Sequence, residues 1–175
     1  MPKPSAKERI LDAYEEILMD SGPGVITLES VAAHAGVSKG GLLYHFGSKD
    51  ALLDGLMDRL VRLTEADVEK ARTAPEGVTR YYLRSAITDV TMNEPLHRTT
   101  MATIRMVLNE PRAAEVTERC LDSIRTMLAE HIEDPLTLEL VLLVGDGLYM
   151  RAALGSENTA PLLDRIEQIA TRLGA

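Results

Sequence analysis

The sequence predicts an all-α protein of about nine helices. Apolar residues recur every three or four positions along nearly every segment, whereas the period-two alternation typical of strands is missing. Glycines and prolines fall between these segments, where helices are expected to end and begin. At 175 residues, with 45% hydrophobic and 26% charged side chains, the chain is long enough to bury a core without disulfides or metals.

Each predicted helix has its own start or stop signal. Polar caps are expected to begin the first four, at Ser5, Thr27, Ser38 and Ser48, and prolines stand at or near the starts of the later ones. Gly36 suits the left-handed backbone conformation of the residue that ends a helix. The predicted helices cover the segment between Ser5 and Ser21, and then residues 28–35, 39–45, 49–72, 76–91, 95–108, 112–131, 136–154 and 161–173.

Charge and composition exclude several classes of protein. The net charge of −8, taken alone, argues against nucleic acid as a partner. No acidic residue lies between Ser30 and Lys49, however, so a local patch carrying Lys39 and two histidines could meet phosphate. The single cysteine, Cys120, rules out an intramolecular disulfide and suits the reducing cytoplasm. No apolar run is long enough for a transmembrane helix, so no membrane partner is expected.

Residues 28–35, the turn at Gly36 and residues 39–45 together fit a helix-turn-helix, whose second helix enters the major groove of DNA. The second helix is weak, because Gly40 and Gly41 each cost about 1 kcal/mol relative to alanine. Glycines at these positions would let the backbone approach DNA closely, and nearby lysine, tyrosine and histidine side chains offer donors to phosphate oxygens.

Two other interpretations of this segment stay open at this point. It could be a surface loop, with Leu42, Leu43 and Phe46 in the core. Residues 36–40 also match G-x-S-x-G, the nucleophile elbow of a small serine hydrolase that would use Ser38. That elbow needs a strand before the serine, and the alanine-rich residues there have a helical period. The histidines and the cysteine have no metal-ligand spacing, so neither an enzyme, a metal nor a cofactor is expected.

The segment Val37–Leu52, which reads VSKGGLLYHFGSKDAL, resembles the recognition helix and the following helix start of the TetR (tetracycline-repressor-like) family. Upstream, the residues that also match are Thr27, Val31, Ala32, Ala35 and Gly36. The resemblance is close over residues 5–60 and extends to the remainder in length and helix number. It implies a DNA-binding domain over residues 1–48, a connecting helix over 49–72, and a ligand-binding and dimerisation domain over 73–175.

The resemblance also implies roles for individual residues. Thr27 and Ser38 would contact phosphate at helix N-termini. Lys39, Gly40 and Gly41 would face the groove. Contacts to the DNA backbone would come from Tyr44, His45 and Lys49. The family commonly has an aromatic residue where this chain has Leu43, and a threonine or similar residue at Gly41, which leaves Lys39 as the main candidate base reader. The expected DNA-binding residues are Thr27, Ser38, Lys39, Gly40, Gly41, Tyr44, His45 and Lys49.

The second half of the chain is expected to dimerise. Segment 136–154 is the most apolar helix and should be buried on most sides, and one face of 161–173 is also apolar. Such stripes are too apolar for a monomer surface, so a four-helix interface between two copies is expected, although packing within one subunit is the alternative. The expected interface residues are Leu136, Leu140, Leu143, Gly147, Met150, Leu162, Ile166 and Ile169.

Another face of segment 136–154 carries carboxylates. Glu139 and Asp146 are costly in an apolar helix unless they are paired, so they either pair with Arg105 or Arg125 or line an internal pocket for a hydrophobic or cationic small molecule. Flexible methionines and stacking tyrosines in this half suit variable ligands. The expected pocket residues are Tyr81, Met101, Arg105, Met127, Glu139, Leu142, Asp146 and Tyr149.

These observations together predict a cytoplasmic, ligand-responsive regulator of transcription. The expected mechanism is a homodimeric repressor on a palindromic operator of double-stranded DNA. A small-molecule inducer would release it by favouring a different conformation of the dimer. A TetR-like activator and a ligand-independent regulator are the alternatives within the same class, because the sign of control depends on where the operator lies.

Overall fold

The computed structural model describes residues 5–155 and 160–174. These residues form ten α-helices, one short 3₁₀ helix and no strand, which confirms the predicted all-α class. The α-helices are α1 (Ala6–Ser21), α2 (Leu28–His34), α3 (Lys39–His45), α4 (Lys49–Arg72), α5 (Val78–Thr91), α6 (Pro95–Val107), α7 (Pro111–Ala129), α8 (Pro135–Ala153), α9 (Ala160–Leu163) and α10 (Ile166–Leu173). The 3₁₀ helix, Pro23–Val25, lies between α1 and α2.

The predicted last helix, 161–173, is two helices in the structure. The backbone N–H of Arg165 donates to the carbonyl of Leu162 at 3.0 Å, in the turn between α9 and α10. Periodicity missed this break because the apolar residues keep a near-helical spacing across it, from Leu162 to Ile166. The other predicted helices are all present, with ends that differ by at most two residues.

The chain divides into two compact units. The first contains the chain up to Arg62 together with Arg98–Glu118, and the second contains Leu63–His97 and the chain from Arg119 onward. In the first unit, α1, α2 and α3 pack against one another, with Ile10, Leu18 and Val31 among the buried side chains. α4 contributes residues to both units, so it connects them along the chain.

The second unit is organised around the contact between α5 and α8. A Cβ atom at Gly145 would lie 2.3 Å from Cε1 of Tyr82, so only glycine permits this approach. The Tyr82 hydroxyl lies 3.4 Å from the carbonyl oxygen of Leu142. Buried residues on both sides complete the core, among them Leu83 of α5 and Leu148 of α8. Among the residues that the structure describes, no helix is long and apolar enough to cross a membrane.

Candidate nucleic-acid interface

Local hydrogen bonds fix both ends of α2. The Thr27 hydroxyl accepts from the backbone N–H of Ser30 at 3.0 Å, and the Ser30 hydroxyl accepts from the N–H of Thr27 at 3.1 Å, which completes a capping box. Gly36 follows the helix with φ of +64°, a conformation that favours glycine. The N–H of Val37 then donates back to the carbonyl of Ala32 at 3.0 Å, so the turn before α3 has a defined direction.

α3 is a short helix anchored by one face. The Ser38 hydroxyl caps it by accepting from the N–H of Gly41 at 3.0 Å, as predicted. Leu42 and Phe46 are buried, whereas Leu43 is 39% exposed. The surface-loop interpretation, which put all three apolar side chains in the core, is therefore wrong. The hydrolase interpretation fails as well, because helix α2, rather than a strand, precedes the turn that carries Ser38.

The outer face of α3 is open to solvent. Tyr44 is 86% exposed, and its ring meets the ring of His45 edge to face with centroids 5.1 Å apart. A Cβ atom at Gly40 would meet nothing within 4 Å. Lys49, at the start of α4, donates from Nζ to the carbonyl of Pro23 at 3.4 Å. The structure thus presents a tyrosine, a histidine and bare backbone on one exposed helix, with a lysine at the start of the next.

Two exposed carboxylates contact side-chain nitrogens of the helix-turn-helix. Nζ of Lys39 lies 2.5 Å from Oε1 of Glu29 on α2, and this hydrogen bond from Lys39 lowers the pKa of Glu29. Nε2 of His34 lies 2.5 Å from Oε2 of Glu16 on α1. No sequence pattern indicates Glu29, because it lies just before the acid-free segment and its partner is ten positions away across a turn.

The predicted pocket residues fall into both units. Met101 and Arg105 lie on α6 in the first unit, and the other six lie in the second. Among these six, Met127 is buried in the core cluster and Leu142 packs partly buried against it. Glu139 forms an ion pair with Arg125, so the pairing interpretation holds for this carboxylate.

The second predicted carboxylate, Asp146, hydrogen-bonds to the Tyr82 hydroxyl. Burial raises the pKa of Asp146, and the hydrogen bond from Tyr82 opposes that shift. The sequence suggested only that tyrosines of this half, which include Tyr82, stack on a ligand. In the structure Tyr82 also satisfies a carboxylate, so Asp146 has a partner without either of the arginines considered from the sequence.

Polar groups that the sequence analysis missed surround Tyr81 and Tyr149. The Tyr81 hydroxyl donates to Oδ1 of Asp67 on α4 at 2.6 Å. The Tyr149 hydroxyl lies 2.9 Å from Nδ1 of His97, with the two rings edge to face. Asp89 on α5 has its pKa raised to about 6, chiefly by burial and then by the charge of Asp67. These residues come from different helices, so no local spacing could have revealed them.

One face of α8 is exposed along its whole length. Leu136 and Leu143 are 66% and 65% exposed, and the same spacing of three and four residues continues to Leu154. Within the single chain, the predicted interface stripe of this helix is therefore uncovered, and its burial by a second copy stays a prediction. Ile166 of α10 is 1% exposed because it packs in the core of its own chain, whereas Leu162 and Ile169 are partly buried. The exposed predicted interface residues are Leu136, Leu140, Leu143, Gly147 and Met150.

A capped helix, a glycine turn and an exposed second helix define the chain as a helix-turn-helix DNA-binding protein. Comparison with known families identifies which one. Residues 10–56 match the family model of bacterial regulatory proteins of the tetR family, and residues 76–173 match that of the tetracyclin repressor-like C-terminal domain. The chain belongs to the TetR family of transcriptional regulators, which are DNA-binding proteins rather than enzymes.

Individual relatives agree with this assignment. The chain is 28% identical over 174 residues to the HTH-type transcriptional regulator BetI of Burkholderia mallei (strain NCTC 10229), covering 90% of this chain and 88% of the relative. A solved TetR-family member from Streptomyces coelicolor A3 shares the fold with a TM-score of 0.74 at 21% identity, over 97% of this chain and 98% of that one. The multidrug binding protein EbrR, complexed with malachite green, has a TM-score of 0.67 at 22% identity, over 97% and 98% of the two chains.

Proposed function

We propose that this regulator is a homodimeric repressor that binds a palindromic operator through α3 and releases it when a small molecule binds among the helices of the second half. The exposed outer face of α3 is the observation that carries the DNA-binding part. A tyrosine that is 86% exposed stabilises no core, and it lies on a helix weakened by two glycines. An element that breaks local rules in this way is more expected at a functional site than in a scaffold.

The proposed contacts follow the exposed groups. Ser38 and Thr27 stand at helix N-termini, where backbone N–H groups attract phosphate. Lys39 is the proposed base reader, and the bare backbone at Gly40 and Gly41 allows close approach to the groove. Phosphate contacts are proposed for Tyr44, His45 and Lys49. Residues 1–48 would thus bind DNA, 49–72 would connect, and 73–175 would bind ligand and dimerise. Operator binding would place the protein in the cytoplasm.

Selection of source-genome fragments by the purified protein tests the DNA-binding proposal. At about 0.15 M salt, a range in which phosphate contacts weaken steeply, wild type should recover a palindromic site. A Tyr44→Ala/Lys49→Ala variant should recover none, because two of the proposed backbone contacts are lost. Lys70→Ala is the matched control, since it removes an exposed lysine of α4 outside the proposed interface. Equal recovery by wild type and the double variant would contradict the proposal.

The homodimer is supported by the exposed stripe of α8. Leu136 at its start and Leu143 at its middle are 66% and 65% exposed, which is unusual for a monomer surface, and their spacing matches the seam of packed helices. A two-fold dimer also supplies the two recognition helices that a palindrome requires. Leu143→Glu should therefore convert the protein to a monomer in analytical ultracentrifugation. Leu108→Glu, on an exposed leucine that directly follows α6, should leave the dimer intact. A monomeric wild type would refute the proposal.

A cationic ligand is supported by the acidic and aromatic groups of the second unit. The carboxylate of Asp89 is partly buried beside that of Asp67, and Tyr81 and Tyr149 lie near them. A bound cation would relieve the repulsion between the two carboxylates and could stack on a tyrosine ring. Ethidium and malachite green serve as probes, because EbrR has been solved with each.

Thermal unfolding tests the ligand proposal. Either probe should raise the unfolding temperature of wild type, because a ligand that binds only the folded state stabilises it. Asp89→Asn should reduce that rise, since it removes the partly buried charge while keeping the side-chain shape. Asp122→Asn, on an exposed carboxylate of α7, should leave it unchanged. Equal shifts in all three proteins would contradict a role for Asp89.

A further inference from the structure

The proposed base reader, Lys39, forms an ion pair with Glu29. Glu29 lies in the first turn of α2 and Lys39 is the first residue of α3, so the pair bridges the two helices of the helix-turn-helix. Nζ of Lys39 and Oε1 of Glu29 are 2.5 Å apart, and their side chains are 57% and 63% exposed. The proposed base reader therefore carries a carboxylate beside it.

Stability does not account for this arrangement. Exposed ion pairs contribute little to stability, because solvent screens them and both side chains lose freedom. Near DNA, a carboxylate is also unfavourable, since it faces the negative charge of the phosphates. A glutamate at this position should therefore lower the affinity for DNA, so neither stability nor affinity explains its presence.

We propose that Glu29 is a specificity-determining residue, which holds the ammonium of Lys39 for base edges and withholds it from phosphates. This inference rests on the proposed role of α3 in DNA binding. Phosphate oxygens are acceptors only, so they can satisfy Lys39 but repel Glu29. Base edges in the major groove offer donors next to acceptors, as adenine N6 beside N7 and cytosine N4 beside guanine O6. The pair offers one donor and one acceptor, so it can hydrogen-bond to such an edge. A contact to phosphate alone is unfavourable, because the phosphate repels Glu29.

The test compares two duplexes and a cycle of variants. One duplex is the site that wild type selects from a random-sequence library, and the other is a mixed-sequence duplex of the same length without that site. Glu29→Gln, Lys39→Met and the double variant are measured on both by fluorescence anisotropy across a series of salt concentrations. Glu16→Gln is the matched control, because Glu16 is 61% exposed and its carboxylate also contacts a side-chain nitrogen, Nε2 of His34 at 2.5 Å. Thermal unfolding checks that every variant remains folded.

In Glu29→Gln, freed Lys39 should reach a phosphate on any duplex. Affinity for the mixed-sequence duplex should rise, and the slope of log K against log salt should become steeper by about 0.9, the value for one more phosphate contact. The ratio of affinities, selected site over mixed sequence, should fall by about fivefold or more, the lower end of the range for one base contact. In the Lys39→Met background the same change should leave that ratio unaltered, and so should Glu16→Gln in wild type.

Four outcomes would overturn the inference. If Glu29→Gln raises both affinities by the same factor, Glu29 acts only as a repelling charge. An equal fall of the ratio with and without Lys39 would show that the pair is not the source of selectivity. If Lys39→Met changes neither affinity, the inference fails together with the proposed role of Lys39. If Lys39→Met weakens binding while Glu29→Gln keeps the ratio, only the inference fails, and the proposed function stands.

Discussion

Arg59 of α4 places its guanidinium 3.1 Å from the carboxylate of Glu15 on α1, and both side chains are buried. Asp12 and Glu8 face the same guanidinium at 2.5 and 3.0 Å. The hydroxyl of Thr99 on α6 donates to Glu15 at 2.5 Å. Burial raises the pKa of Glu15, and the hydrogen bond from Thr99 and the charge of Arg59 oppose this. One cation thus compensates several carboxylates that hold α1 against α4.

Removing this cation should destabilise the protein. Arg59→Gln leaves the buried carboxylate of Glu15 without its charge partner, which should lower the free energy of unfolding by about 3–5 kcal/mol. Arg62→Gln is the matched control, because Arg62 is 60% exposed and reaches Glu8 at only 3.6 Å, so its loss should cost less than about 1 kcal/mol. Urea denaturation near neutral pH measures both changes. Similar losses in the two variants would show that burial of Arg59 gives it no special role.

The approach of α5 and α8 leads to a second prediction. Gly145→Ala would place a methyl group 2.3 Å from the ring of Tyr82, so one helix must shift. The free energy of unfolding should fall by about 1–3 kcal/mol, as for other overpacked cores. A double-mutant cycle with Tyr82→Ala tests the cause, because without the ring the methyl group has room. If Gly145→Ala costs as much in the Tyr82→Ala background, the contact with Tyr82 is not responsible.

The helix-turn-helix was predictable because its signals are local. Thr27 and Ser38 each bind a backbone N–H three residues ahead, and Gly36 needs only its own left-handed conformation. A cap is therefore visible in a short window of sequence. Lys39 was found in the same way, but its partner Glu29 was not, because their contact depends on the angle between two helices.

The burial of side chains and the electrostatic partners of carboxylates were less predictable from the sequence. The apolarity of α8 predicted burial, yet Leu143 is 65% exposed in the single chain, because composition does not say which surface covers a helix. For Glu139 the sequence left Arg105 and Arg125 open as partners, and only the packing of helices selected Arg125. The raised pKa of the Asp89 carboxylate depends on burial and on the nearby charge of Asp67, neither of which the sequence shows.

The pKa of Asp89 predicts a pH dependence of stability. The folded-state pKa of about 6 exceeds the ordinary value, so between about pH 4 and pH 6 the folded state binds more protons than the unfolded state. Stability from this group is therefore present at low pH and is lost as pH rises through about 6. Asp67 and Glu94 add to the shift, whereas Lys70 opposes it.

Asp89→Asn should remove this loss. Because solvent partly screens the group, the gain in the free energy of unfolding should be about 1–2 kcal/mol at about pH 7.5 and close to zero at about pH 4. Urea denaturation of both proteins at the two pH values gives the comparison. Asp122→Asn controls for the loss of any carboxylate from the surface. A gain that is the same at both pH values would contradict a raised pKa at Asp89.

The substitution Gly40→Ala should change the stability of the protein and its affinity for DNA in opposite directions. A Cβ atom there would meet nothing within 4 Å, and the residue lies inside α3, so Gly40→Ala should raise the free energy of unfolding by up to about 1 kcal/mol. The same methyl group would stand between the helix backbone and the groove, so affinity for the selected duplex should fall by about tenfold or more, the scale of a lost contact. Urea denaturation and fluorescence anisotropy measure the two effects on one preparation. A stabler variant with unchanged affinity would show that DNA does not approach the backbone at Gly40, whereas opposite changes would explain why a short helix keeps a residue that weakens it.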